Sequence, residues 1–409
     1  MVTETRKAVV QALMKLEERN TAEGEFWEQD LLGKERGLGQ FLLYGILRER
    51  GRIDEILNRN SKKPIHKQIP IIRCILRLGA FELKFSRAPA HACIDQAVEL
   101  SKFHGQKYAA GFVNAVLRKT SKAELSEDVS CNVPTFIQEE VQKKLDREEY
   151  AQWLRHIGQP ATITIATKNG EKPNFECVEY TEQSFVKKLY TSKMEGDVQK
   201  WDGFQNGDWW IMSPSSAMVI EKLAEQIPEE DRGGLRVLDA CAAPGSKSVR
   251  LVQYGFSVEA TDKSSRRLQL LQENATRMSY EIPMHVSDWL EGVPSESTVE
   301  EYDVIVLDAP CSGLGVMRRH PEIRWRRSKE DISVHAIIQK QLIDALLPKL
   351  KTGGLFVYSV CSFFEEERGF FPSNCTVISE WETPLASGED AFFISVRKKE
   401  DNNARKHNG

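Results

Sequence analysis

The residues that most restrict the fold are 235–247, LRVLDACAAPGSK, where a short apolar run ends at an aspartate, passes through alanine, proline and glycine, and resumes as a helix-forming segment. A tight turn of small residues between strand and helix lets a ligand approach the backbone and the first amides of the helix. Residues 257–261 read as a second strand ending at Asp262, 23 positions after Asp239. An acidic group there suits a ribose diol. Further strands over 303–307 and 355–359, with helical patterns over 266–276 and 337–350 between them, predict a parallel, doubly wound α/β sheet. Neither G-x-G-x-x-G nor G-x-x-x-x-G-K-[ST] occurs, so dinucleotide and P-loop binding are not favoured.

Two of these strands end in a thiol. The run from Val304 leads into Asp308-Ala309-Pro310-Cys311-Ser312-Gly313, and the strand over 355–359 is followed by Cys361-Ser362. Two cysteines at two strand ends suggest a catalytic pair. The eight cysteines contain no C-x-x-C and no close histidine clustering, so neither zinc nor a disulfide framework is expected, and no metal is assigned. In a reducing compartment most of them should be small buried hydrophobes. From Arg318 to Lys329 six Lys or Arg stand against one Glu, interleaved with His320 and Trp325, a composition that suits phosphate contacts and base stacking but also a solvated loop.

Upstream, residues 5–120 carry apolar positions at helical spacing, as in Val9, Ala12, Leu13 and Leu16, punctuated by Pro64, Pro70 and Pro89. An all-α domain of five or more helices follows. Up to Lys122 there are 22 Lys and Arg against 14 Asp and Glu, whereas the remainder has 34 against 46. A basic N-terminal third suits a polyanion, although lysines on a helical domain can simply be solvated. Residues 121–131 read as a linker, 136–154 as one or two helices, and 161–198 as a small α+β subdomain whose 162–165 alternate like a strand. Residues 123–235, with 12 basic and 21 acidic groups, are a poor electrostatic partner for RNA. At 28% charged and 41% hydrophobic residues, no stretch approaches the roughly 20 apolar residues of a membrane span, and the start of the chain does not resemble a signal peptide. The expectation is a cytoplasmic monomer with no membrane partner, divided into 1–122, 123–206, 207–399 and a polar tail over 400–409.

Three segments of the helical part, 75–83 (ILRLGAFEL), 91–100 and 111–118 (GFVNAVLR), resemble the NusB-like RNA-binding domain. That implies that its positive charge faces RNA, while Asn114 and Arg118 could equally be hydrogen-bonders that hold the bundle together. Downstream, DACAAPG (239–245), DAPCS (308–312), GVMRRHPE (315–322) and YSVCS (358–362) occur in the order found in the Sun (NOP-type) RNA 5-methylcytosine methyltransferases, and with a NusB-like domain in front the chain is most similar to the RsmB type. The resemblance implies a Rossmann-like methyltransferase domain, S-adenosylmethionine as cofactor and small-subunit ribosomal RNA as partner. It assigns Cys361 as the nucleophile that adds to carbon 6 of cytosine, Cys311 as the residue that promotes release, and Asp308 as the contact to the base. The Pro-Cys of DNA cytosine methyltransferases would suggest the reverse for the two thiols. Cofactor contacts carry over onto Cys241, Ala242, Ala243, Pro244, Gly245, Ser246, Lys247, Asp262, Arg267, Asp288 and Asp308, although an aspartate at 288 could simply cap a helix. RNA contacts are expected at Arg318, Arg319, His320, Arg324 and Trp325.

Some positions depart from the family pattern: Ser246 for a glycine, Val360 for a threonine, Arg368 for an asparagine, no Arg-x-Asn near 162–166, and a short tail, though 391–394 resemble the closing strand. A serine fits at 246 only if the backbone angle is ordinary. An alternative to the enzyme is a lapsed homologue that binds RNA or assists ribosome assembly.

Overall fold

The computed structural model describes residues 3–17, 34–180, 188–194, 196–292 and 300–401. They form two compact units, one of Met1–Pro160 with Met317–Arg326, the other of Ala161–Val316 with Arg327–Gly409.

The first unit is all helical, with α1 (Glu4–Glu17), α2 (Lys34–Arg48), α3 (Arg50–Asn60), α4 (Pro70–Phe85), α5 (Ala90–Phe103), α6 (Ala110–Lys122), α7 (Thr135–Gln142) and α8 (Arg147–Ile157). Pro70 opens α4 and Pro89 caps α5, positions where a missing amide proton costs nothing. The amphipathic faces meet in a core that includes Val10, Leu42, Ile46, Ile53, Ile75, Leu76 and Leu117. The 75–83 segment carries its own packing logic: at Gly79 a Cβ would lie 2.6 Å from Leu117 Cδ1, so glycine permits the close approach of α4 and α6. Arg77, buried beside it, is satisfied by Asp54 at 2.7 Å and Glu17 at 2.5 Å. Arg118 donates to Asn114 Oδ1 at 3.1 Å on the exposed side of α6, an i,i+4 pair rather than a tie between helices.

The second unit holds two sheets. The small one is antiparallel, in the order β2-β3-β1-β4, from β1 (Thr164–Thr167), β2 (Cys177–Glu179), β3 (Leu189–Ser192) and β4 (Trp209–Ile211). Part of the subdomain expected over 161–198 lies outside the described residues, as does the expected tail from 402 onward. The large sheet runs β10-β11-β9-β8-β5-β6-β7, from β5 (Arg236–Asp239), β6 (Ser257–Asp262), β7 (Met284–Val286), β8 (Tyr302–Asp308), β9 (Leu350–Val360), β10 (Cys375–Glu382) and β11 (Phe393–Lys399). Pairings from β7 through β9 are parallel, and β11 inserts antiparallel between β9 and β10. Helices α9 (Pro214–Ala224), α10 (Ser246–Gln253), α11 (Ser265–Arg277) and α12 (Lys329–Leu346) complete the α/β layering. The central strands are apolar on both faces: Val237, Leu238, Ile305, Val306, Leu307, Phe356 and Val357 are all fully buried. Each such side chain contributes roughly 1.5–3 kcal/mol over an exposed one.

The compact boundaries differ from those expected at 122 and 206. Helices α7 and α8 belong to the helical unit. The small sheet is locked to the large one: Gln253 Nε2 donates to the carbonyls of Thr167 and Lys168 at 2.7 and 2.8 Å, and Lys168 Nζ to that of Met278 at 2.7 Å. Gln253 ends α10 and Met278 caps α11, so the small sheet is tied to the helices that flank the large one.

Candidate active site

The strand order reverses at β5, with β6 on one side and β8 on the other, and ligands of open parallel sheets bind beyond the strand ends at such a switch point. Both singled-out turns lie there. After Asp239 the chain is strapped by Ala240 N–H to Val306 O and Ala242 N–H to Thr261 O, each 2.9 Å, and enters α10 at Gly245. Gly245 takes φ 106°, and a Cβ there would lie 2.5 Å from Leu271 Cγ. The left-handed residue is thus Gly245, and Ser246 opens α10, which disposes of the steric objection to serine. Asp239 is buried, accepts the Ser248 hydroxyl at 2.7 Å on one oxygen and has its other oxygen without a partner. Burial pushes its carboxyl up to about 6 against the pull of the Ser248 bond. Burial also raises the Cys241 thiol, helped by Asp262, Asp239 and Asp308.

Asp262 closes β6 with 3% exposure; its oxygens accept from Ser264 N at 2.9 Å and Ala243 N at 3.3 Å, and Arg267 Nη1 stands 3.5 Å away. Arg267 also donates to the Ala243 carbonyl. This combination of a small-residue turn, a helix start, a buried acceptor oxygen with no partner at Asp239 and a carboxylate at the next strand end fits an adenosyl cofactor. Asp288 accepts from Leu290 N at 3.0 Å, the local capping bond of a turn.

The second turn begins at the last residue of β8. Asp308 accepts Lys247 Nζ at 2.5 Å and the Ser359 hydroxyl at 2.8 Å, one donor on each oxygen. Lys247 therefore points at Asp308, a contact between residues 61 positions apart that no local pattern announces. Burial would pull the Lys247 pKa down, but Asp308 first, then Asp239 and Cys361, raise it, so an ammonium is held among these groups. The β8–β9 register pairs Asp308 with Ser359, and both chains then leave the sheet on the same side. That brings Cys311 Sγ within 3.1 Å of Cys361 Sγ. The Cys311 pKa is pushed well up, first by its hydrogen bond to Cys361, then by burial, the charge of Cys361, Glu367 and Asp308. Cys311 thus keeps its proton and can offer it to the other sulfur.

Residues 227–379 match the family model described as 16S rRNA methyltransferase RsmB/F, and residues 3–122 match the NusB family. The chain joins a NusB-family domain to an RsmB/F-type methyltransferase domain. It is 27% identical over 410 residues to ribosomal RNA small subunit methyltransferase B of Vibrio vulnificus (strain YJ016), covering 91% of this chain and 93% of that one. The protein of the same name from Pseudomonas syringae pv. tomato is 29% identical, with 82% and 77% covered. Among solved structures, PH0851 aligns with a TM-score of 0.76 at 18% identity over 97% of this chain and 98% of its own. NSun6 from Pyrococcus horikoshii, solved with SFG, aligns with a TM-score of 0.54 at 16% identity over 66% and 99%. At these identities the two structures show a shared fold.

The expected RNA-contact segment divides. Arg324 is fully buried in the helical unit, where Nη2 donates to the carbonyls of Ile157 and Met317 at 3.0 Å each and Nη1 to that of Asn132 at 3.5 Å. Burial, with Arg48 adding to it, pushes its pKa down to about 10. A guanidinium so enclosed has no face for a phosphate, and the expectation of an RNA contact at Arg324 is corrected to a structural one. The Trp325 indole N–H donates to Leu47 O at 2.7 Å and the Arg50 guanidinium covers the ring at 4.8 Å, so this tryptophan also serves the helical unit rather than a stacked base. Arg318 reaches Pro160 O at 3.1 Å, and His320 pairs with Glu322 at 3.4 Å while half its side chain stays exposed. Sequence reasoning missed Ser359, the partner of Asp308, and Glu367, whose only signal is that it ends the Glu365-Glu366-Glu367 run just after Cys361-Ser362.

Proposed function

We propose that this protein methylates carbon 5 of a cytosine in RNA, with small-subunit ribosomal RNA as the substrate and S-adenosylmethionine as the methyl source. The observation that carries the reading is the pair of sulfurs 3.1 Å apart, with Asp308 at the end of one of the two strands that bear them. Carbon 5 of cytosine is a poor nucleophile until another nucleophile adds at carbon 6. A thiolate suits that addition. A free cysteine, with pKa about 8.5, needs help to ionise at neutral pH, and the Lys247 ammonium and the Cys311 proton are groups of the right kind to supply it. In this reading Cys361 adds to carbon 6 and Asp308 meets the ring-nitrogen edge of the base. Cys241 to Lys247, Asp262, Arg267 and Asp288 would hold S-adenosylmethionine, which would supply an electrophilic methyl for carbon 5. Cys311 then promotes loss of the carbon 5 hydrogen as a proton, and the carbon–sulfur bond to Cys361 breaks. RNA would be met by the NusB-family domain and by Arg318, Arg319 and His320.

The departures from the family pattern leave these groups in place. Val360 is buried at the end of β9 opposite Phe393, and Arg368 is tied to Glu382 at 2.6 Å and Glu365 at 2.8 Å. The test is methyl transfer to a small-subunit rRNA transcript with bisulfite mapping. Cys361→Ala should abolish product, and Cys311→Ala should accumulate a protein–RNA adduct that survives denaturation. Full activity in Cys361→Ala would overturn the assignment.

A further inference from the structure

Both thiol-bearing turns are held by one carboxylate that the proposed chemistry does not use. Glu367 is fully buried, while its neighbours Glu365 and Glu366 are exposed. Its Oε1 accepts the Ser312 N–H at 2.6 Å and Gln339 Nε2 at 3.3 Å; its Oε2 accepts the Ser312 hydroxyl at 2.6 Å and the Ser362 hydroxyl. Ser312 and Ser362 are the residues that follow Cys311 and Cys361. A carboxylate accepts on both oxygens and donates on neither. Four converging donors therefore match it better than they would match an amide.

The bracing continues around the same turns. Gln339, itself fully buried, donates to Pro310 O at 3.0 Å, and Arg327 Nε donates to Ser312 O at 2.7 Å. The Tyr358 hydroxyl donates to the backbone carbonyl of Glu367 at 2.7 Å, and Gly315 N–H to Cys361 O at 2.9 Å. Residues 310–312 and 361–362 are thus fixed from several directions, and across the two turns a long Ser312–Ser362 hydroxyl contact at 3.4 Å stands beside the shorter bonds by which the Glu367 side chain grips both.

We infer that Glu367 is a positioning residue that sets the separation of the two thiols by clamping Ser312 and Ser362 onto one carboxylate. The reason such a clamp matters is geometric. Parallel strands β8 and β9 bring the two turns to the same edge, but beyond Asp308 and Val360 the two backbone bonds between them, Ala309 N–H to Ser359 O and Gly315 N–H to Cys361 O, flank residues 310–312 without holding them. An error of about 1 Å in a reacting group can cost on the order of 100-fold in rate. The negative charge of Glu367 also contributes, after the sulfur of Cys361 and burial, to keeping the proton on Cys311.

For its effect on rate the inference rests on the proposed cytosine chemistry; the thiol geometry itself is read without it. In the first experiment, phenylarsine oxide is added to the native full-length chain and to Glu367→Ala, Glu367→Gln and Ser362→Ala. Mass spectrometry then counts arsenic atoms bridging the Cys311 and Cys361 peptides, each bridge forming two sulfur–arsenic bonds with loss of water. The native chain should bridge readily. Glu367→Ala should bridge at least about tenfold more slowly, whereas Glu367→Gln, whose carbonyl can still accept the Ser312 N–H and whose hydroxyl partners can turn to accept, should recover most of the rate. Ser362→Ala, which deletes a single donor, should fall between and keeps the test open if Glu367→Ala does not fold.

In the second experiment, methyl transfer to the rRNA transcript should show kcat in Glu367→Ala lowered on the order of 100-fold with both KM values within about twofold. Native-like bridging in both Glu367→Ala and Ser362→Ala would overturn the inference. So would a loss of cofactor affinity as large as the loss of kcat, shared by Glu367→Gln. If the chain shows no cytosine methylation at all, the proposed function fails while the bridging rates still decide the clamp.

Discussion

Asp239 offers a sharp test of the electrostatics beneath the cofactor turn. Its carboxyl is buried with one oxygen unpartnered, and burial raises its pKa from 3.8 to about 6. A difference of roughly two units is about 3 kcal/mol of preference for the neutral form. In the unfolded chain the same group ionises at its ordinary value, so the folded state binds a proton that the unfolded state has already released. The sign therefore opposes that of a salt-bridged carboxylate: the cost of burying the charge is fully present above pH 6, shrinks as pH falls from 6 towards 3.8, and is gone below that. Asp239→Asn keeps an oxygen for the Ser248 hydroxyl and abolishes the titration. Urea unfolding of wild type and variant, followed by circular dichroism at several pH values between 4 and 8, isolates this residue, because everything else cancels in the difference. The variant should gain up to about 3 kcal/mol relative to wild type between pH 4 and pH 8. Any constant offset from the new amide leaves that slope unchanged. A difference that stays flat with pH, or that favours the wild type increasingly as pH rises, would refute the reasoning.

Arg324→Ala should leave three backbone carbonyls without their donor and lower the stability of the helical unit by about 2–4 kcal/mol in urea, while RNA affinity at fixed salt changes less than about twofold. Arg319→Ala should instead weaken RNA binding and reduce the slope of log affinity against log salt by about 1, read by filter binding across a salt series. Lys247→Met removes one of the two donors on Asp308 and the ammonium near Cys361; kcat should fall on the order of 100-fold with little change in RNA KM, measured by methyl transfer. Gly245→Ala places a methyl against Leu271 at positive φ and should cost about 2–4 kcal/mol in the methyltransferase unit, with a matching loss of S-adenosylmethionine affinity by calorimetry.

What was legible in the sequence was whatever the chain encodes locally. The strand, small-residue turn and helix at 235–247 were readable because turn chemistry and hydrophobic runs are properties of adjacent residues, and observed β8 extends the expected strand only to Tyr302–Asp308. The two thiols were readable one at a time as strand ends. Their meeting depends on the register of Asp308 with Ser359 across a parallel pair, after which the sulfurs lie three and two residues further along. Strand β9 begins at Leu350, earlier than the expected 355, because Leu350 already pairs with Tyr302; residues 351–354, which include two glycines, interrupt both the apolar pattern and the ladder before it resumes at Leu355 with Val304. The small α+β subdomain was readable from the alternation over 162–165, but its join to the large sheet was not: Ala166, Leu189 and Trp210 share a core with Val237 and Val249, and Gln253 and Lys168 bond backbone carbonyls of distant residues.

The same limit explains Arg324, and it separates two kinds of arginine that composition cannot distinguish. A run of six basic residues in twelve looks like a phosphate-binding surface, and Arg318, Arg319 and His320 are the contacts proposed from it. Arg324 differs in that its acceptors are main-chain oxygens of Asn132, Ile157 and Met317, groups that every residue type carries and no sequence pattern marks. Glu367 is the mirror case, a carboxylate whose chief donors are one backbone amide and two serine hydroxyls. In both, a charged residue is buried against uncharged polar atoms, so counting opposite charges along the chain finds neither. The expectation that follows is specific: Arg324→Met, which removes charge and desolvation cost together while keeping the side-chain volume, should destabilise less than Arg324→Ala, whereas Glu367→Met, which keeps volume but abolishes the acceptors, should be no better than Glu367→Ala in bridging the two thiols.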